Sequence, residues 1–168
     1  VASHGPVTAV AVAEHGPTRV LVARNATVAR YDAKGALLST RRVLRDERIH
    51  GLAVHATTAL AWGGASLAVF GDDDARQHKT FDGRVVAAGV LGGAPACGGI
   101  AVVLADGRCL RCDSPRLHDR RGPSFFDDDD DDPDVVVEAD VRSGTALGEL
   151  RAASVSRRSG AVAAGDAL

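Results

Sequence analysis

The segment TALAWGGASLAVFGD, residues 58–72, sets the fold of this chain. It holds two apolar runs of about five residues, separated by a turn around Gly63 and Gly64. The aromatic Phe70 closes the second run, and Asp72 follows shortly after it. Short apolar runs bounded by Gly and Asp are typical of β-strands joined as hairpins. The segment therefore predicts a strand–turn–strand unit.

The same pattern occurs in TRVLVARNATVARYD (residues 18–32) and in GGIAVVLADGRCLRCD (residues 98–113). Tyr31 and Phe70 lie 39 residues apart, and Cys112 takes the place of the aromatic in the third copy. A period near 40 with strand–turn–strand units is typical of β-propeller blades. One blade cannot bury both of its faces alone, so neighbouring blades stack and bury them.

The rest of the chain fits an all-β protein. Asp32 to Gly35 predict a hairpin turn between two apolar runs. Gly and Val are frequent along the whole chain, which favours short strands. The Ala content favours helix intrinsically, but no stretch sustains a helical apolar period over three turns. We predict a partial β-propeller of about three blades in residues 1–113. Residues 114–134 contain the run Asp127 to Asp132 and are predicted to form a disordered acidic loop, and residues 135–168 an incomplete further blade hairpin.

Composition sets the other bounds. The 168 residues make one domain with 45% apolar but only 4% aromatic residues, so its core consists of small side chains. The net charge of -2 implies neither a nucleic acid nor a membrane as partner. No export signal and no membrane-spanning run is visible, which predicts a cytoplasmic location. The chain begins with Val1 and contains no Met, so we expect a fragment of a longer protein.

Three cysteines raise the question of a metal site. Cys109 and Cys112 form a C-x-x-C pair, and Cys97 and His118 are the other candidate ligands. An odd offset within one strand directs Cys109 and Cys112 to opposite faces, so reduced thiols are favoured over zinc or redox chemistry. The sequence therefore predicts no metal site and no cofactor.

A family resemblance follows from the strings RVLVARNATVARYDAKGALLSTRRVLRDERIHGLAV and TALAWGGASLAVF, together with Ile49, His50 and Gly51. The chain resembles the N-terminal part of the WD-repeat family that acts with an FtsJ-type methyltransferase in ribose 2'-O-methylation of the tRNA wobble nucleotide. The resemblance implies a WD40-type propeller that is a non-catalytic scaffold, with the methyltransferase as its partner and tRNA as a candidate further partner. A generic WD-type protein–protein interaction module unrelated to tRNA is the alternative.

Two groups of residues are the candidate site. His50 and Gly51 are expected to stabilise a blade junction, the imidazole by bridging buried polar groups and the glycine by its backbone freedom. Trp62 is expected to pack between blades. The cluster Arg41, Arg42, Arg45 and Arg48 is a candidate for contact with tRNA phosphates, or else a solvated blade edge. No catalytic residue is predicted.

Overall fold

The computed structural model of the protein describes residues 5–13, 19–71, 76–90, 100–112, 135–140, 152–155 and 162–165. The regular secondary structure in these ranges consists of β-strands alone. The strands in chain order are β1 (Val7–Ala13), β2 (Arg19–Arg24), β3 (Thr27–Asp32), β4 (Leu37–Arg42), β5 (Gly51–His55), β6 (Thr58–Gly63), β7 (Ser66–Phe70), β8 (Arg76–Thr80), β9 (Val85–Val90), β10 (Ile100–Leu104), β11 (Arg108–Cys112), β12 (Val135–Asp140), β13 (Ala152–Val155) and β14 (Val162–Gly165).

The strands form three antiparallel sheets of four consecutive strands each, followed by the hairpin β13–β14. The first sheet is β1–β4, the second is β5–β8 and the third is β9–β12. The first strands of successive units lie side by side: β1 contacts β5, β5 contacts β9, and β9 contacts β13. This is the arrangement of propeller blades, whose inner strands surround the axis. The prediction of an all-β, partial propeller with about three blades is confirmed.

The strands of the second sheet are nearly continuous apolar runs because both faces of the sheet are buried. Leu60 pairs with Val69, and both belong to the core between the second and third sheets. The neighbouring pair Ala61 and Ala68 points the other way, into the core between the first and second sheets. Because both faces of the sheet are covered, successive residues along β6 and β7 are apolar.

The turns of the first two sheets are equivalent and carry the predicted period. The turns β2–β3 and β6–β7 begin with Asn25 (φ 51°) and Gly64 (φ 54°), both in the left-handed region and 39 residues apart. The next residues, Ala26 and Ala65, accept hydrogen bonds through their carbonyls from the amides that follow the outer strand of the same sheet. The predicted period of about 40 residues is thus a period of backbone contacts as well as of sequence.

The predicted hairpin turn at Asp32 joins β3 to β4. The Asp32 carboxylate accepts hydrogen bonds from the amides of Lys34 (2.9 Å) and Ala36 (2.8 Å). Gly35 has a φ of +83°, which an L side chain rarely adopts. Asp and Gly at this spacing therefore specify the turn, as the sequence predicted.

An ion pair connects residues 81–84, which link β8 to β9, to the third sheet. Arg108 on β11 pairs with Asp82 and with Asp106. The hydrogen bond from Arg108 holds the pKa of the Asp82 carboxyl below its ordinary value. A lowered pKa stabilises the fold above the unfolded-state pKa of that carboxyl, and this stabilisation is lost as the pH falls through the folded-state value. The contribution is small, because 72% of the Asp82 side chain is exposed.

The face of the first sheet that points away from the second sheet is apolar and open. Val10 and Val12 on β1 are 56% and 52% exposed, and Leu37 on β4 is 58% exposed. On the opposite face of the same sheet, Leu21 and Ala23 are fully buried. The first sheet therefore carries apolar residues on both faces, although only one face is covered.

The later part of the chain is divided differently from the sequence-based division. The strand β12 pairs with β11 as the fourth strand of the third sheet, although it lies beyond residue 113, where the predicted blades ended. A separate hairpin is formed by β13 and β14. The predicted acidic loop, with its run from Asp127 to Asp132, lies outside the described residues.

Candidate interaction site at the first linker

The candidate site is built on residues 43–50, the first linker, which connects β4 to β5. Its apolar residues Val43, Leu44 and Ile49 are buried at 1% exposure or less, while Arg45, Asp46 and Arg48 are exposed. The amides of Val43 and Ile49 donate to the carbonyls of Ala26 (2.8 Å) and Asn25 (2.7 Å). The linker is therefore fixed at both ends, with its charged middle directed to solvent.

His50 contributes to the junction through its backbone. Its amide donates to the carbonyl of Trp62 at 2.7 Å, which continues the pairing of β5 with β6 past Gly51. The imidazole is exposed and makes no hydrogen bond with the described part of the chain. The bridging role of the ring stays a prediction, while the main chain of His50 already contributes to the junction.

Gly51 is required for a different reason from the one predicted. Its backbone is not in the left-handed region, but a Cβ built on it would come within 2.1 Å of Cζ2 of Trp62. Trp62 lies opposite Gly51 on the neighbouring strand and packs against the core between the second and third sheets. A residue without a side chain is needed here because the Trp62 indole occupies the space where a Cβ would lie. Unusual backbone conformation is not the reason.

The next two glycines let the linker lie directly on the β6–β7 turn. A Cβ on Gly63 would come within 1.9 Å of the Arg48 carbonyl oxygen. A Cβ on Gly64 would come within 2.7 Å of the carboxyl carbon of Glu47. The Gly63-Gly64 pair therefore leaves the space in which the Arg48 carbonyl and the Glu47 carboxylate lie.

The four arginines of the candidate cluster have different surroundings. Arg41 is half-buried on β4, whereas Arg42, Arg45 and Arg48 are exposed. The guanidinium of Arg42 donates to the carbonyls of Leu44 and Arg45 and pairs with Asp46 at 3.4 Å. Arg42 thus holds the shape of the linker, and Arg45 and Arg48 are the members of the cluster that extend from it.

A groove of about 490 Å³ opens between the linker and the second sheet. It is lined by Arg45, Asp46, Glu47, Ser66, His78 and Thr80. Ser66, His78 and Thr80 lie on two neighbouring strands and face the first sheet. Sequence reasoning missed these residues, because only the pairing of β7 with β8 and the path of the linker bring them to Glu47.

Glu47 is the unusual member of the groove. Its Oε2 atom is buried and has no hydrogen-bond partner, and Glu47 forms no ion pair with the described residues. Buried polar atoms in folded proteins nearly always have a partner, because an unpaired one loses its hydration without compensation. Ser66 beside it is only 6% exposed.

The candidate metal ligands are not brought together in the part of the chain that the structure describes. Cys109 is buried in β11, while Cys97 and His118 lie outside the described residues. In the described ranges, no group of three or more His, Cys, Asp or Glu side chains is placed to hold a metal ion. A search of the same ranges finds no helix with the length and apolar character that crossing a membrane requires.

No protein-family model matches the sequence, and no curated protein matches it. Solved structures do match. The β-propeller domain of Cps50 (Swd1) from Myceliophteria thermophila aligns with 66% of this chain at a TM-score of 0.56 and 17% identity. A crystal structure of BBS1N in complex with ARL6DN aligns with 94% of the chain at a TM-score of 0.60 and 12% identity.

The computationally designed Ika4 protein aligns with 97% of this chain and 92% of its own length, at a TM-score of 0.56 and 13% identity. The chain spans only 36% of the matched Cps50 chain and 45% of the matched BBS1N chain. At these identities the similarity shows the fold alone. Together with the three stacked sheets, it shows that this chain has the fold of part of a β-propeller.

Proposed function

We propose that this chain is a non-catalytic scaffold that binds a partner protein at the first linker. The observation that carries the proposal is the groove between the linker and the β7–β8 part of the second sheet, which is lined by charged and hydroxyl side chains. The linker around it is held by buried apolar residues and by backbone hydrogen bonds at both ends. A binding surface that is already ordered loses little conformational entropy on association.

Partner capture tests this proposal. The tagged chain is cross-linked in a native lysate of its source, and the captured proteins are identified by mass spectrometry. We expect Arg45→Ser combined with Arg48→Ser to lower capture of the main partner about ten-fold, since exposed arginines are frequent binding hot spots. Lys34→Ser, which removes one positive charge at the exposed β3–β4 turn, is the control and is expected to leave capture unchanged. Equal capture of the main partner by the wild type, the double arginine variant and the Lys34→Ser control would contradict the proposed surface.

A narrower form of the proposal takes the FtsJ-type methyltransferase as the partner and tRNA as a further ligand. Its support is the family resemblance and the exposure of Arg45 and Arg48 on one ordered linker. Asp46 and Glu47 stand between these arginines, which limits the local positive charge. The methyltransferase would supply S-adenosylmethionine, and this chain would contribute binding only.

Salt-dependent binding tests the narrower form. A reconstituted complex of the chain, the methyltransferase and a tRNA transcript is titrated at several salt concentrations. We expect each of Arg45→Ala and Arg48→Ala to lower the slope of log affinity against log salt by about 1, because each removes one phosphate contact. Unchanged slopes, or no complex with the methyltransferase, would contradict the tRNA role and leave the protein-binding scaffold in place.

A further inference from the structure

The groove at the first linker contains a carboxylate that forms no ion pair with the side chains that the structure describes. Oε2 of Glu47 is buried and unpaired, although the groove itself is open. The cation next to it on the linker, Arg45, is exposed and forms no ion pair with any described residue. An ionised carboxylate in this position is costly unless a positive donor reaches it.

The backbone leaves room for this carboxylate. Gly64 has a φ of +54°, and the Glu47 carboxyl occupies the space where a Cβ would stand, 2.7 Å from its carbon. The linker on either side of Glu47 is fixed by the Ile49 and Val43 amides. The main chain that carries Glu47 is therefore held by backbone hydrogen bonds and not by an ion pair of the Glu47 side chain.

Two of the other lining residues are suited to a basic side chain, and Arg45, Asp46 and His78 complete the lining. Ser66 and Thr80 contribute hydroxyl groups to the same groove as the carboxylate, and a hydroxyl accepts as well as donates. A lysine ammonium has three donors and an arginine guanidinium five, so either can satisfy Glu47 and a hydroxyl together. A divalent metal ion prefers several carboxylates, and the described residues hold no such group.

We infer that the groove receives a lysine or arginine side chain of the partner protein. The inference rests on the proposed scaffold function and assigns the chemistry of its recognition site. Glu47 is the counter-charge, Ser66 and Thr80 complete the hydrogen bonds, and Gly64 keeps the space open. The aliphatic part of such a side chain lies against the groove walls as its head reaches Glu47.

Short peptides test the inference on the whole chain. The probes are acetyl-Gly-Arg-Gly-amide, acetyl-Gly-Lys-Gly-amide and acetyl-Gly-citrulline-Gly-amide, followed through the backbone amide signals of Gly63 and Gly64 by NMR. We expect saturable shifts with either basic peptide, weaker binding of the neutral citrulline peptide, and at least about a ten-fold loss of affinity in Glu47→Gln. Asp106→Asn, on the β10–β11 turn outside the groove, is the matched control, with affinity within about two-fold of the wild type.

Thermal unfolding gives a second readout that does not depend on a ligand. If the Glu47 carboxylate has no ion-pair partner within the chain, the neutral variant Glu47→Gln removes an unpaired charge with a buried oxygen. The melting temperature of the free chain then rises. If Glu47 instead pairs within the chain in solution, the same variant melts at a lower temperature, and the inference is overturned. Equal binding of the three peptides, or no binding of the basic ones, overturns it as well.

The outcomes separate the two proposals. Partner capture that depends on Arg45 and Arg48 while basic peptides do not bind refutes the groove inference and leaves the scaffold. Peptide binding at Glu47 with no partner captured at the linker supports the groove and counts against the scaffold.

Discussion

Gly63→Ala is expected to destabilise the chain by about 3 kcal/mol, at the upper end of the range for overpacked positions. The added Cβ would stand 1.9 Å from the carbonyl oxygen of Arg48 and 3.3 Å from Cα of Ile49. Both neighbours are backbone, so no side-chain rotation relieves the clash. The linker would have to move, although its Ile49 and His50 amides are engaged in hydrogen bonds of 2.7 Å each.

Thermal unfolding measures this effect, with an expected fall in melting temperature of roughly 10 °C. Gly83→Ala is the control, because the nearest atoms to its added Cβ are 3.9 Å away. This distance is ordinary van der Waals contact, and we expect no more than about 0.5 kcal/mol of change. Similar losses in the two variants would mean that the close approach of the linker to β6 is not a feature of the protein in solution.

Leu60→Ala is expected to cost about 3 kcal/mol of unfolding free energy, within the range for Leu-to-Ala changes in cores. Leu60 is 0% exposed and lies in the core between the second and third sheets, with Leu67, Val69 and Val102. Truncation leaves a cavity between two sheets whose backbones are fixed by strand pairing. Their side chains therefore refill the space only in part.

Chemical denaturation measures this loss against the same substitution at Leu38, which is 54% exposed on β4. We expect Leu38→Ala to change stability by no more than about 0.5 kcal/mol. If the two variants were equally stable, the second and third sheets would not be packed against each other. A loss in Leu60→Ala with no change in Leu38→Ala supports the stacking on which the propeller assignment depends.

The repeating part of the fold was predictable because it rests on local sequence. Apolar runs of strand length, the turn at Gly63 and Gly64, and the aromatic positions Tyr31 and Phe70 identify the units and their period. The end of the third sheet was harder to predict. Its fourth strand, β12, pairs with β11 across residues 113–134, and no local pattern reveals a partner at such a distance.

The site was predictable only in part. The sequence pointed to the linker and to Gly51, but it assigned the glycine to backbone freedom and the junction to the imidazole of His50. The structure shows a steric need at Gly51 set by Trp62 and a hydrogen bond from the His50 amide, and the role of the imidazole stays a prediction. Glu47, Ser66 and Thr80 were missed, since residues on a linker and on two strands give no common signal before the chain folds.

The turns that begin with Asn25 and Gly64 fasten their sheets with main-chain atoms, which every residue except proline supplies in full. The first and the second unit of about 40 residues thus each contain this backbone hydrogen bond within their own sequence. A gene duplication that copied one unit would copy this hydrogen bond with it, and no new contact would have to evolve. Later drift of the side chains would then erase the kinship between copies while the course of the polypeptide stayed the same.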